Sequence, residues 1–73
     1  MSGHILNVAG YRFIALDGRD ALQSRLRSVC NDLGLKGTIL LAPEGINFFL
    51  AGLETAVISF IDYLERDTRF EGI

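Results

Sequence analysis

The polar residues best placed for chemistry lie in residues 36–52, KGTILLAPEGINFFLAG. Glu44 falls at the tip of a predicted loop, where a carboxylate is accessible to solvent, and Asn47 can donate and accept a hydrogen bond at once. Lys36 offers a cation for a phosphate contact. We therefore take Lys36, Glu44 and Asn47 as candidate binding residues, and we assign no catalytic residue.

Each of these residues also has a structural interpretation. Pro43 presets the first turn dihedral, and Gly45 accepts the positive φ that a three-residue hairpin loop needs, so Glu44 is a tolerated loop residue between them. Asn47 is then a residue that fixes the turn by bonding to nearby backbone, and Lys36 is a solvated cation just after a helix. The residues alone leave both interpretations open.

Phe48 and Phe49 are neighbours in a predicted strand, so their rings point to opposite faces of the sheet. One ring joins the core, and the other lies on the face that no helix covers. There it either stacks on an RNA base or docks on another domain or subunit. Docking is favoured because the segment lacks the basic-glycine-aromatic order of the RNA-recognition signature. Arg12 strengthens the RNA interpretation if it shares the face of the uncovered ring.

The presence of one cysteine and one histidine limits which other kinds of site the chain can form. One cysteine forms no internal disulfide, and a structural zinc site needs about four Cys or His ligands, so neither a metal nor a cofactor is predicted. Cys30 shares an apolar helix stripe with Leu26 and Leu33, where burial raises a thiol pKa, so we interpret it as a core residue. His4 belongs to a flexible tail predicted over residues 1–7.

Hydrophobic periodicity places the elements that must position these residues. The sequence predicts strands over residues 8–16, 38–42 and 46–51, a helix over 54–66, and a strand that begins at 70–73. Another helix is predicted between the first two strands. Asp17 or Asp20 caps its start, and Gly34 ends it with a hydrophobic contact from Leu35. The first helix carries its apolar face on Leu22, Leu26, Val29, Cys30 and Leu33; the second on Ala56, Val57, Phe60, Ile61 and Leu64.

This β-α-β-β-α order predicts an α+β, ferredoxin-like split β-α-β fold: a two-layer sandwich whose fourth strand is truncated or only begun. Residues 8–73 are then one domain. The fourth strand would pair beside the first, so an exposed sheet edge is predicted there. Such an edge invites pairing with another chain, including a second copy of this one.

Composition limits the class of protein. The 73 residues are 49% hydrophobic, which is enough for the core of one small globular domain. The net charge of −2 gives no global basic field for nucleic acid, although six of the seven cations are arginines that can cluster locally. The longest apolar run is far shorter than the roughly 20 residues that span a bilayer, and no signal peptide is seen, so a cytoplasmic protein without a membrane partner is predicted.

The order of residues from Lys36 to Ala42, Glu44 to Asn47 and Leu50 to Gly52 resembles the N-terminal domain of the rhodanese-containing UPF0176 family. Tyr11-Arg12-Phe13, the helix end at Leu33-Gly34-Leu35, and Tyr63-Leu64 extend the resemblance over nearly the whole chain. The family usually continues EGIN with Gly-Thr, where this sequence has Phe48-Phe49.

The resemblance implies an acylphosphatase-like, ferredoxin-like module that is followed by a rhodanese domain with the active cysteine. Members of the family include an oxygen-dependent tRNA hydroxylase that acts on the wobble uridine. It implies an accessory domain that assists tRNA binding or packs on the rhodanese domain. A protein interaction or oligomerisation module is the alternative. An acylphosphatase-like phosphohydrolase is disfavoured because the loop Asp17-Gly18-Arg19-Asp20 carries two acids that repel phosphate.

Overall fold

A computed structural model describes residues 4–73 and confirms an α+β fold. The elements, in chain order, are β1 (Ile5–Phe13), α1 (Arg19–Leu33), β2 (Lys36–Ala42), β3 (Gly45–Leu53), α2 (Glu54–Glu65) and a short 3-10 helix (Thr68–Phe70). The three strands form an antiparallel sheet in the order β1-β3-β2. Two parallel strands with a third inserted between them are the core of the ferredoxin-like arrangement.

Both helices pack on one face of the sheet, and within residues 4–73 the other face is uncovered. Their buried faces are those that periodicity predicts, with Leu22, Leu26 and Cys30 from α1, and Phe60 and Leu64 from α2. From the sheet, the core takes side chains of alternate residues, because the strand period is two. On the central strand β3 these are Ile46, Phe48 and Leu50.

We call the uncovered side of the sheet the open face. It consists of the other set of alternating residues: Ile5, Asn7, Ala9, Tyr11 and Phe13 on β1, Lys36, Thr38, Leu40 and Ala42 on β2, and Asn47, Phe49, Ala51 and Leu53 on β3.

The two ends of α1 differ in how well the sequence predicts them. Gly34 ends the helix in the left-handed conformation at φ 70°, and the Leu35 amide donates to the Cys30 carbonyl at 2.9 Å, which is the predicted stop. The predicted side-chain cap is wrong: the N-cap is Gly18 at φ 63°, and no side chain among the described residues caps the helix. Gly18 places Asp17 and Asp20 on either side of the cap position rather than at it.

The hairpin turn is one residue shorter than predicted. Pro43 and Glu44 alone connect the strands, since Ala42 already pairs with Gly45. The turn is fixed by backbone: the Ile14 amide donates to the Glu44 carbonyl at 2.8 Å, and the Leu16 amide to the Pro43 carbonyl at 3.1 Å. Gly45 is required by close approach, because a Cβ there would lie 2.0 Å from the Arg12 carbonyl oxygen.

Both predicted chain ends need correction. β1 begins at Ile5 and ends at Phe13, so residues 5–7 are strand rather than tail; the predicted tail residues 1–3 lie outside the described residues. The predicted strand at 70–73 is not found: residues 68–70 are a 3-10 turn that buries Phe70 completely. Asp67 caps that turn by accepting from the Arg69 amide, and it also forms a two-oxygen ion pair with the Arg69 guanidinium.

Candidate functional site

The open face is an apolar surface made by all three strands. Six of its side chains are large, hydrophobic and exposed: Ile5, Tyr11, Phe13, Leu40, Phe49 and Leu53, with exposed fractions from 49% at Leu53 to 80% at Phe13. Large apolar residues scattered singly on a surface need no explanation, but six on one sheet face indicate a contact surface.

Strand register fixes the layout of this surface. Phe49 lies at the centre, between Ala9 on β1 and Thr38 on β2. The neighbouring row places Asn47 between Tyr11 and Leu40. Small or short residues therefore flank the Phe49 ring and leave it accessible at 58% exposure.

A shallow concavity of about 300 Å³ lies next to the hairpin turn. Tyr11, Phe13, Leu40, Asn47 and Glu44 are among its lining residues. The Tyr11 and Phe13 rings meet edge to face, with centroids 5.7 Å apart. The concavity combines aromatic walls with one amide and one carboxylate, and it is also bordered by Arg12, whose guanidinium bonds the Glu71 and Arg69 carbonyls. This lining suits an apolar group that carries a hydrogen-bonding end.

Charge is nearly absent from the open face. In the described strands, Lys36 is the one ionisable cation or acid whose side chain belongs to this face, and Glu44 stands at its rim in the turn. Nucleic-acid surfaces draw most of their affinity from several cations that contact phosphates. A single lysine gives this face little attraction for a polyanion, whereas its apolar area suits a protein surface or a stacked ring.

The structure separates Arg12 from the uncovered ring. Arg12 pairs with Ile46 on the helix-covered side of β1, and its guanidinium donates to the carbonyls of Glu71 at 2.6 Å and Arg69 at 3.3 Å. The condition that would add Arg12 to an RNA surface, a shared face with that ring, is therefore not met. Arg12 instead ties the C-terminal segment to β1.

The prediction that the Phe48-Phe49 pair is split between core and surface is confirmed. Phe48 is 3% exposed and meets Phe60 edge to face at 5.8 Å, whereas Phe49 is exposed on the open face. Asn47 also points to the open face, and within residues 4–73 its side chain makes no hydrogen bond that would fix the turn. Lys36, Asn47 and Phe49 thus share one surface with Glu44 at its edge, while Phe48 and Arg12 lie on the other side.

Sequence reasoning missed five of the six exposed hydrophobic residues of this surface: Ile5, Tyr11, Phe13, Leu40 and Leu53. The signal that could have found them is the parity of the residue number along each strand, because odd-numbered and even-numbered residues of one strand point to opposite faces. Ile46, Phe48 and Leu50 share one parity on β3, so Asn47 and Phe49 had to share the opposite face. The same count along β1 places Tyr11 and Phe13 together once β1 is paired with β3.

Cys30 and Arg19 have structural surroundings. Cys30 is buried in the core, and this burial raises the pKa of its thiol, as predicted. Arg19 donates from its guanidinium to the Leu16 carbonyl at 3.1 Å, so it bonds back to the loop that precedes α1. Because its guanidinium bonds a carbonyl of this loop, Arg19 is not directed outward to bind a phosphate.

Comparison with known proteins identifies the relatives of this chain. Residues 5–73 match the model of the UPF0176 acylphosphatase-like domain. The tRNA uridine(34) hydroxylase of Burkholderia vietnamiensis is 52% identical over 68 residues, which are 93% of this chain and 24% of that protein. The protein of the same name from Cupriavidus necator is 51% identical over 69 residues, covering 94% of this chain and 24% of the relative.

The chain therefore belongs to the UPF0176 family, as its acylphosphatase-like N-terminal domain. It spans about a quarter of the length of the curated relatives that it matches. Neither of the helices in residues 4–73 is long and apolar enough to cross a membrane.

Proposed function

We propose that this member of the UPF0176 family is the accessory domain of a longer protein that hydroxylates uridine 34 of tRNA. The observation that carries the proposal is its identity of about 50% to proteins named tRNA uridine(34) hydroxylase, of which it covers one quarter. On this proposal the chemistry belongs to another part of the protein, where the family resemblance implies a rhodanese domain with the active cysteine. A tRNA substrate implies a cytoplasmic location.

In this proposal the open face docks the domain on the rest of the protein. Its six exposed hydrophobic side chains provide the apolar centre of an interface, and removing them from water is favourable by about 25 cal/mol per Å² of buried apolar area. In the described strands Lys36 is the one charged side chain on this face, and a lysine at the rim of an interface keeps its ammonium in water.

Direct contact with tRNA is the second candidate for the same face. Tyr11 and Phe49 present exposed rings on neighbouring strands, and Lys36 lies on the third strand of that face. An unpaired base stacks on such rings at about 1–3 kcal/mol each, and the lysine contacts a phosphate. The described strands place no second cation on this face, which makes tRNA contact the weaker candidate.

The function is tested by deleting the gene and measuring hydroxylation of uridine 34 by mass spectrometry of tRNA digests. Complementation with the full-length gene restores the modification, and complementation with a gene that lacks residues 4–73 restores little of it. Normal modification after deletion of the whole gene contradicts the proposed function.

The role of the open face is tested by thiol accessibility in the full-length protein. Phe49→Cys places a thiol at its centre, and Ile58→Cys is a matched control on α2, since Ile58 is 57% exposed and Phe49 58%. Docking predicts that position 49 reacts much more slowly than position 58 without tRNA. Protection of position 49 only when tRNA is added supports the RNA contact instead. Equal, tRNA-independent reactivity at both positions contradicts both roles.

A further inference from the structure

The outer side of β2 is a sheet edge that nothing in residues 4–73 covers with a strand. β3 pairs with one side of β2, and the sheet order leaves the other side free. Alternate backbone N–H and C=O groups of an edge strand point away from its neighbour. Natural edges block further pairing with charges or proline, and residues 37–42, GTILLA, contain neither. This edge is therefore open to another strand.

A groove beside the edge gives an added strand a surface to cover. It has a volume of about 430 Å³ and runs between α1 and β2. Cys30, Leu35 and Ile39 supply apolar lining, Gln23 and Asn31 supply amide groups, and Arg27 on α1 adds one cation. Backbone pairing at the edge and apolar contact in the flanking groove are the two parts of recognition by strand addition.

The charges at the two ends of β2 indicate which strand fits. Lys36 begins the strand and Glu44 follows its end, both exposed, with no other charge between them. We infer that β2 pairs antiparallel with β2 of a second copy of this chain, about a two-fold axis at Leu40. In that arrangement the Lys36 of each copy faces the Glu44 of the other, so the two-fold axis generates two ion pairs.

The dimer would be a continuous six-stranded sheet. Residues of equal parity meet across the axis, so the open faces of both copies lie on the same side, with Leu40 beside Leu40 of the second copy. Two apolar faces then form one wide surface. This inference does not depend on the tRNA-related function, since it uses the edge of the sheet and not the identity of the relatives.

Charge exchange in the natural full-length protein tests the pairing. Sedimentation velocity over a range of concentrations measures the dimer dissociation constant for the native protein, Lys36→Glu, Glu44→Lys and the double exchange. Each single change places like charges together twice, and we expect it to raise the dissociation constant by about tenfold or more. The double exchange restores the native value. Arg66→Glu, just after α2, and Glu54→Lys, at its first residue, are exposed changes of the same charge and leave it unchanged.

Two results overturn the inference. One is a monomer across the whole concentration range; if the β2 amides are then also protected from hydrogen exchange, another segment of the same chain covers the edge. The other is a dimer that the charge exchanges do not weaken, which places the interface elsewhere. Neither result bears on hydroxylation of uridine 34, which the gene deletion tests separately.

Discussion

The two faces of the sheet are built from the same kinds of residues but have opposite consequences, and Phe48 and Phe49 show this one position apart. The Phe48 ring contacts Phe60 under the helices, and the Phe49 ring stands in solvent between Ala9 and Thr38. Residue type does not decide between a stabilising and a binding role here. The decisive factor is the parity of the residue in a strand whose second face has no helix over it.

The largest expected effect is that of Phe48→Ala. Loss of a buried phenylalanine costs about 3–5 kcal/mol, which is close to the whole stability that a core of this size supplies. Urea unfolding followed by circular dichroism is expected to show a chain that is largely unfolded without denaturant. A well-folded Phe48→Ala chain would contradict the division between the two faces.

Arg12→Met removes a contact on the covered side while keeping an aliphatic side chain. The carbonyls of Glu71 and Arg69 lose a charged donor, so we expect a loss of about 1–2 kcal/mol in the free energy of unfolding. Hydrogen exchange should rise first in residues 68–73. Arg27→Met, an exposed arginine on α1, is the control and should change the unfolding free energy little.

Asp67→Asn should show a smaller effect that depends on pH. The Arg69 guanidinium hydrogen-bonds the Asp67 carboxylate and holds its pKa below the ordinary value. A lowered folded-state pKa stabilises the fold above the ordinary carboxyl pKa of about 4, and this stabilisation is lost as the pH falls through the lowered value. The variant should be about 1 kcal/mol less stable at pH 7. The difference from the native chain should shrink below about pH 4, and a constant difference at all pH values would refute the ion pair as its cause.

The smallest effect on stability is expected for Phe49→Ala, within about 0.5 kcal/mol, because the ring makes few contacts in the folded chain. The same change should lower hydroxylation of uridine 34 when introduced into the full-length gene. Measured together, the two quantities separate folding from docking. A stability loss as large as that of Phe48→Ala would mean that the open face is packed within this chain.

Sequence reasoning reached the fold through features that depend on local chemistry. The stop of α1 at Gly34 and the helical stripes of α1 and α2 are of this kind, since each follows from a few neighbouring residues. The features it missed are one local feature, the glycine N-cap of α1, and one that depends on distant partners, the burial of Phe70. Gly18 displaced the expected aspartate cap, and Phe70 entered the core as part of a 3-10 turn rather than starting a strand, because its ring fills space that the helices leave.

The candidate site was only half predicted for the same reason. Lys36, Asn47 and the split of Phe48 and Phe49 follow from residue type and strand period. Tyr11, Phe13 and Leu40 join them only through the register of β1 and β2 against β3. Arg12 does not meet its predicted condition, a shared face with the uncovered ring, and its partners, the backbone carbonyls of Arg69 and Glu71, leave no pattern in side-chain types.

The turn at Pro43 and Glu44 also limits how this domain can be altered. The tip of a hairpin is ordinarily where a chain accepts an inserted segment or a fused tag, because its backbone faces only solvent. Here the carbonyls of both turn residues accept amides of Ile14 and Leu16 from a distant part of the chain. A longer loop would move these carbonyls away from the two amides and release the segment that leads into α1. The tip of this hairpin is therefore a poor site for an insertion.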